Sequence, residues 1–380
     1  MVLTQTLNAI APLLSPWSLM VLAALMLQGC GEWEQGVPEM NEQEQQTVNA
    51  YTRTQAPACI GRFQMDMPRQ LVLSYSTLTV NEARISAKLT TQQMFKQFIR
   101  ERRNELLNTE PGDEKDQPYL KHVYTPSPEI VIFDRNNAPH IPDALRTLEG
   151  YRRIGLTMFR VLLKARDIED NRYTKDRAYV ETNKPDRLKQ VEHLLQNLHP
   201  RKAHEIPDTP GLCFEGGFLA GGADDPIPGA ALPFREESIG MTFVDRHHRD
   251  VNFIFHTDNT IVEKDTLLDR TTAAENMLSQ DDHFSVLRKG TVELEGIEQA
   301  QEWLITQTTD QSVRGHYFNL EANSTRKAPE FPYLGISFRN GDFPPGEPHG
   351  ELNQASLTDA EAVGLWDAIT RTFQVRPNAF

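Results

Sequence analysis

Alternating apolar and polar residues mark the clearest strands of the chain. In residues 239–243 and again in residues 251–255, every second residue is Ile, Met, Val or Phe. This alternation is typical of strands that bury one face. The sequence DRHHRD between them is then a hairpin turn, in which the adjacent His247 and His248 diverge more readily than they share a metal.

Apolar residues at helical spacing predict helices in both parts of the chain. A capping-box pattern at Thr90 and Gln93 opens one helix, and another lies between Pro185 and Pro200. The sequence DTLLDRTTAAENML predicts a third, and the segment from Gly296 is a weaker candidate. The last helix is opened by a capping box at Thr358 and Glu361. The first and the last helix each carry one apolar stripe: Met94, Phe95, Phe98, Ile99, Leu106 and Leu107 in the first, and Ala362, Leu365, Trp366, Ile369 and Phe373 in the last.

A proline-rich segment, HPRKAHEIPDTPG at residues 199–211, separates two halves that look alike in outline. Each half begins with a cysteine shortly after a proline, and each then gives strands, a helix, more strands and a closing helix. We predict an α+β fold of two domains, each an antiparallel sheet with helices packed on one face. The similar order of elements in the two halves also suggests a distant duplication.

The N-terminus differs in kind from the rest of the chain. Residues 17–27 form an apolar run broken only by Ser18, which is too short to cross a bilayer and has the length of a signal-peptide core. Leu27-Gln28-Gly29-Cys30 follows and resembles the lipobox of bacterial lipoproteins, in which the cysteine receives lipid. Gln28 and the lack of Lys or Arg before Arg53 depart from that pattern, so an ordinary cleaved signal or a short uncleaved anchor stays open.

These features divide the chain into four segments. We expect a signal peptide at residues 1–29, a lipidated N-terminus with a flexible tether at 30–56, and domains at 57–200 and 207–378. The tether prediction rests on a Glu- and Gln-rich sequence without a periodic apolar face. Gly31 rather than Asp after Cys30 favours the outer membrane, so we expect a periplasmic protein tethered there.

Charge separates the two halves. Residues 57–200 carry 23 Lys and Arg against 19 Asp and Glu, whereas residues 201–380 carry 15 against 29. The acidic half makes nucleic acid an improbable partner. It is either an ordinary soluble surface or one that steers a basic partner.

Cys59 and Cys213 are an even pair once Cys30 is assigned to lipid. They open the two halves at matching positions, and an exported protein meets an oxidising compartment, so a disulfide bond between them is the favoured reading. The alternative is two buried thiols too far apart to join.

Catalytic motifs are scarce. The chain has no Gly-x-Ser-x-Gly sequence, and no Walker lysine follows the glycines of EGGFLAGGADDPIPG. Asp134 and Asn136 match the first positions of a calcium-binding loop, but the residues after them do not supply the glycine and the glutamate that such a loop needs. We expect no metal, no cofactor and no enzymatic activity, which favours a binding protein.

Five separated segments carry a resemblance to a known family: ACIGRFQMDMP, GLCFEGGF, FSVLRKGTVELEGIEQAQEWL, HYFNLEAN and LTDAEAVGLWDAITRTFQVRP. In this order they resemble the immunity proteins of type VI secretion lipase effectors, over about residues 57–377. The resemblance implies a periplasmic lipoprotein that clamps a phospholipase between two domains and hinders the cap movement that admits substrate.

Candidate contacts with that lipase lie in two irregular loops, residues 218–233 and 339–350, because exposed loops carry binding function more often than strands do. Each loop could equally be a solvated connection. The residues singled out are Phe218, Asp224, Asp225, Phe234, Arg339, Asp342 and Phe343. The rival interpretations are a cell-envelope lipoprotein with a structural or assembly role and a hydrolase with dispersed catalytic residues.

Overall fold

The computed structural model describes residues 36–326, 328–344 and 350–380, and within them the chain forms five α-helices and 18 β-strands. The first half contains α1 (Glu42–Thr52), β1 (Gln55–Ile60), β2 (Phe63–Pro68), β3 (Leu71–Val80), β4 (Ala83–Leu89), α2 (Gln92–Asn108), β5 (Leu120–Ser127), β6 (Ile130–Asn136), β7 (Leu145–Ile154), β8 (Thr157–Arg166), α3 (Lys184–Gln196) and β9 (Leu198–Pro200). The second half contains β10 (Gly211–Phe214), β11 (Gly217–Ala220), β12 (Glu237–Asp245), β13 (Asn252–Asp258), α4 (Leu267–Leu278), β14 (Ser285–Leu294), β15 (Ile297–Thr308), β16 (Arg314–Ala322), β17 (Tyr333–Asn340), α5 (Asp359–Thr370) and β18 (Gln374–Val375).

The two halves share one antiparallel sheet of 12 strands, in the order β14-β15-β16-β17-β13-β12-β3-β4-β8-β7-β6-β5. The halves meet where β3 pairs with β12 along its whole length, from Leu71 opposite Asp245 to Val80 opposite Glu237. The α+β class and the two-part organisation predicted from the sequence are therefore confirmed.

The sheet order reads the same from both ends. Counting outward from the centre, β3, β4, β8, β7, β6 and β5 correspond to β12, β13, β17, β16, β15 and β14. The helices follow the same rule, because α2 and α4 each follow the second strand of the series (β4 and β13), whereas α3 and α5 each follow the third (β8 and β17). This two-fold correspondence supports a duplication.

Two small sheets exchange strands between the halves. The β1–β2 hairpin of the first half pairs with β18 from the end of the chain, and the β10–β11 hairpin of the second half pairs with β9 from the end of the first half. A disulfide bond between Cys59 and Cys213 joins the two hairpins, with the Cα atoms 5.6 Å apart. The halves are thus linked by a shared sheet, by exchanged strands and by a covalent bond.

Helices cover both faces of the large sheet, which differs from the expected single face. In β7, Gly150 lies against α3, whereas the ring of its neighbour Tyr151 packs 5.1 Å from that of Phe98 in α2. In β15, Leu304 belongs to the main core that includes α5, whereas Trp303 packs with α4. Strands with apolar residues on both faces bury both, because successive side chains point to opposite sides.

The tether prediction is wrong for the residues from Glu42 onward. Helix α1 is closed at its N-terminus by a capping box of Asn41 and Glu44, and it packs against α5. Val48 and Tyr51 are buried, at 6% and 5% exposure. Two apolar residues one turn apart are enough to stabilise a polar helix when a partner helix packs over them.

Several local predictions are confirmed and others need correction. The capping box of Thr358 and Glu361 opens α5, and residues 246–251 connect β12 to β13 as a turn. Helix α2 is capped by Thr91, one residue after the predicted position. The helix predicted from Gly296 is wrong, because Ile297–Thr308 is strand β15, the second strand from the edge of the large sheet.

Candidate functional site

The large sheet is split near its centre. Strand β3 pairs with β4 at Leu78, Thr79 and Val80, whereas its pairing with β12 continues to Leu71. Strand β4 in turn pairs with β8 from Arg84 to Leu89. Among the described strands, β3 and β4 therefore stay together next to their two-residue turn and then diverge, which opens a cleft between two strand edges.

A β-bulge shapes the β3 side of this cleft. Thr242 of β12 lies opposite Tyr75, but the next residue, Phe243, lies opposite Leu73, so Ser74 is an extra residue in β3. A bulge bends its strand and increases the local twist. The bulge lies four residues from Leu78, where the pairing of β3 with β4 ends, so it shapes the open part of the cleft.

Two cavities on the same face lie along the cleft. One encloses about 480 Å³ and is walled by Leu71, Leu73 and Phe243, and the other encloses about 1000 Å³ and is walled by Ala87 and Leu89. Both share a floor formed by Arg201, Ala203, Glu215 and Gly216. The cleft is large enough to hold side chains of a partner protein.

The floor of the cleft is held by main-chain contacts. Gly216 lies at the tip of the β10–β11 hairpin, where a Cβ atom would be 3.5 Å from Cβ of Ala87. Nearby, Gly61 and Cys213 exchange two main-chain hydrogen bonds of 2.9 Å, next to the disulfide bond. The hairpin is thereby fixed beneath the cleft.

The lining of the cleft is basic, although the chain has a net charge of −14. The two cavities are lined by Arg69, Arg201, Arg246, Lys88 and Lys202 on the basic side and by Glu205 and Glu215 on the acidic side. The Arg201 guanidinium donates hydrogen bonds to main-chain carbonyls, such as those of Phe214 and Glu205. Burial lowers the pKa of Arg201, while the charge of Glu205 opposes that effect.

Large apolar side chains are exposed beside the cleft. Tyr75 in β3 is 62% exposed, Leu89 in β4 is 78% exposed and Leu156 in the β7–β8 turn is 66% exposed. Exposed apolar groups with a charged rim are typical of protein interaction sites. Sequence reasoning missed this surface, because its residues are far apart in the chain and share no local pattern.

The first loop proposed from the sequence has a mixed environment. Phe218 is buried at 6% exposure in a cluster with Cys59 and Cys213, so this side chain belongs to the interior and is a wrong choice for a contact. Asp224 and Asp225 are exposed, and Asp225 accepts a hydrogen bond of 2.6 Å from the Gly222 N–H.

The other predicted residue near this loop is Phe234, which is half-buried, and its carbonyl accepts a hydrogen bond from the Asn81 side chain at 3.2 Å. Asn81 belongs to the turn between β3 and β4. Phe234 is therefore tied to the closed end of the cleft.

The second loop lies at the end of β17. Arg339 is half-buried, and its guanidinium lies 5.6 Å from the ring centre of Tyr317. The Tyr317 hydroxyl donates to the Asp342 carboxylate at 3.4 Å, and Asp342 is buried at 5% exposure. Phe343 is half-buried and donates its N–H to Asp342 at 3.0 Å. Asp342 thus stabilises the loop, and residues 345–349 lie outside the described part.

Cys30 and the predicted signal peptide also lie outside the described residues. Within residues 36–326, 328–344 and 350–380, no helix is long and apolar enough to cross a bilayer. No group of three or more His, Cys, Asp or Glu in the same residues is placed to hold a metal ion.

Two family domains match the chain. The Tle cognate immunity protein 4 N-terminal domain matches residues 56–201, and the Tle cognate immunity protein 4 C-terminal domain matches residues 205–378. No curated protein matches the chain. The two matched segments correspond to the two halves that meet at β3 and β12.

Solved structures have the same fold. The apo immunity protein TplEi of the T6SS from Pseudomonas aeruginosa is 21% identical, with a TM-score of 0.66 over 86% of this chain and 98% of that chain. A chain of the Tle4–Tli4 complex is 21% identical, with a TM-score of 0.68 over 86% of this chain and 99% of that one. TplEi complexed with an "L" peptide is 20% identical, with a TM-score of 0.61 over 85% of this chain and 98% of that one.

Proposed function

Because the chain belongs to the Tle cognate immunity protein 4 family, we propose that it binds a type VI lipase effector and inhibits it. The proposal is carried by one observation: both domains of the family are present, and residues of both line an apolar cleft that also carries basic side chains. A solved structure of the same fold belongs to a complex named Tle4–Tli4.

The cleft suits a protein partner better than a reaction. Stable inhibitory interfaces bury about 1,600 Å² in total, with a few aromatic or Arg anchors dominating the energy. Tyr75, Leu89 and Leu156 supply exposed apolar area, and Arg69 and Arg246 supply charge at the rim. We propose that the protein acts by binding and has no catalytic role of its own.

Inhibition of a lipase follows from simple competition. A phospholipase that works on a bilayer exposes an apolar entrance, and a protein that covers this entrance excludes the lipid. The two domains, both of which line the cleft, would hold the enzyme and restrict the movement of its cap. The producing cell is then protected from its own effector.

We further propose a periplasmic location with a lipid anchor on Cys30. The apolar run at residues 17–27 and the lipobox-like Leu27-Gln28-Gly29-Cys30 support export and acylation. The Cys59–Cys213 disulfide bond suits an oxidising compartment. Val37 already packs against the main core and the first helix begins at Glu42, so the body is held closer to the membrane than a tether of 26 residues would place it.

The test is a titration of residues 31–380 against the lipase encoded by the adjacent gene. We expect phospholipid hydrolysis to fall in proportion to added protein until the two are equimolar, with nanomolar affinity. Full lipase activity at excess protein would contradict the proposal and favour a structural role in the envelope. Anchoring is tested separately, because a Cys30→Ser variant is expected in the soluble periplasmic fraction and the wild type in the membrane.

A further inference from the structure

We propose that the open edge of β3 accepts an extended segment of the lipase effector as an additional antiparallel or parallel strand. The inference rests on the proposed function and specifies how the partner is held. It is drawn from the main chain of β3 and β4, whose edges face each other across the cleft without pairing beyond Leu78 in the described structure.

The direction of the main-chain groups follows from the register. The Asn81 N–H donates to the carbonyl of Glu236, which precedes β12, so the odd-numbered residues from Tyr75 to Thr79 direct their main-chain hydrogen-bonding groups toward β12. Leu78 and Val80 direct theirs toward β4. Ser76, two residues earlier, therefore directs its N–H and C=O into the cleft.

The opposite edge has the same property. The Thr90 N–H donates to the Leu156 carbonyl on the β8 side, so Ala87 and Leu89 direct their main-chain groups toward the cleft. Unpaired N–H and C=O groups along a strand are a template for another strand. Here the template lies inside a sheet, where two edges can receive one segment.

The length of the opening suits a short strand. The residues of β3 beyond the β4 pairing are Leu71 to Thr77, which span roughly 23 Å at 3.3 Å per residue. A strand that paired with both edges would need them to stand about 10 Å apart, twice the usual spacing of strands. The gap between β3 and β4 opens from Leu78 outward, where their pairing ends.

The side chains around the cleft define the chemistry of the segment. Its inner-facing residues would meet Leu73 and Leu89, and its outer-facing residues would meet Tyr75. Arg69 and Arg246 are exposed at the open end, and Lys88 and Lys202 line the second cavity. A segment that combines apolar side chains with Asp or Glu satisfies both features.

The first test is amide hydrogen exchange of residues 31–380, measured with and without the lipase encoded by the adjacent gene. We expect the Ser76 amide to exchange about tenfold or more slowly in the complex, because it gains a hydrogen-bond acceptor. The Tyr75 and Thr77 amides, which face β12 already, are expected to change much less. Binding with unchanged exchange at Ser76, Ala87 and Leu89 would overturn the inference while leaving the proposed function intact.

The second test is charge reversal. The double variant Arg69→Glu with Arg246→Glu is expected to weaken lipase binding about tenfold or more, which is 1.4 kcal/mol. The matched control is Arg100→Glu with Arg103→Glu, which makes the same change of charge at exposed residues of α2. Equal affinities for the two double variants would overturn the acidic character of the segment. A wild type that fails to bind the lipase would instead refute the proposed function.

Discussion

The disulfide bond between the two hairpins is expected to contribute several kcal/mol to stability. Cys59 and Cys213 are 154 residues apart in sequence, and both are buried, at 3% and 0% exposure. In the chain-entropy model, closing a loop of this length restricts the unfolded chain by about 5 kcal/mol. Measured values are usually lower, so we expect a loss of about 3 to 5 kcal/mol when the bond is removed.

The perturbation is the double variant Cys59→Ala with Cys213→Ala, compared with the oxidised and the reduced wild type. Urea unfolding of residues 31–380 gives the free energy of unfolding of each form. The reduced wild type and the double variant are expected to be destabilised by similar amounts, and reductant should not affect the double variant. Strand exchange and the shared sheet still link the halves, so we expect one unfolding transition in each form.

Two outcomes would refute this reasoning. Equal urea midpoints for the oxidised wild type and the double variant would mean that the disulfide bond does not restrict the unfolded chain. Two reactive thiols from Cys59 and Cys213 in the denatured, unreduced protein would mean that the bond is absent.

Two further predictions concern the core of the first half. Burial alone would raise the pKa of Glu149, but hydrogen bonds from Arg102, Tyr151 and Arg135 outweigh it and hold the pKa at about 2. Because the folded pKa lies below the ordinary value of 4.5, this stabilisation is present above pH 4.5 and is lost as the pH falls toward 2, by up to about 3 kcal/mol. Unfolding measured from pH 6 to pH 2 should show that loss, and a Glu149→Gln variant should show a shallower pH dependence; parallel curves would contradict the assignment. A Gly150→Ala variant should lose about 1 to 3 kcal/mol of folding stability, because its Cβ would lie 2.8 Å from side-chain carbons of Leu195 and Val191. The control is Gly290→Ala, which has open space at that position and should stay close to wild type in thermal unfolding.

The sequence predicted the elements whose signal is local. The alternation around residues 239–255 and the capping box at Thr358 depend on neighbours within a few positions, and both are confirmed. The prediction of a helix after Gly296 is wrong, because β15 carries apolar residues on both of its faces. Such a strand does not show the alternation of apolar and polar residues by which a strand is recognised in a sequence. Helix α1 was missed because its stability comes from α5, more than 300 residues later.

The cleft was beyond sequence reasoning for a similar reason. The loop containing Phe218 was chosen for its glycines, but the side chain is enclosed by the disulfide-linked hairpins. Arg69, Tyr75, Leu89 and Arg201 show no shared pattern in the sequence, and they come together because β3 stays paired with β12 while β4 stays paired with β8. The overall negative charge also gave no sign of a basic lining.

The central claim is that the cleft between β3 and β4 binds the lipase, and a bulky residue inside it tests this most directly. Ala203 is exposed and lines both cavities, whereas Ala273 is exposed on α4, outside both cavity linings. The measurement is the inhibition constant of Ala203→Trp and Ala273→Trp against the lipase encoded by the adjacent gene. The account predicts that Ala203→Trp inhibits about tenfold or more weakly while Ala273→Trp matches the wild type, since a factor of ten corresponds to 1.4 kcal/mol. Wild-type inhibition by a correctly folded Ala203→Trp protein would contradict it.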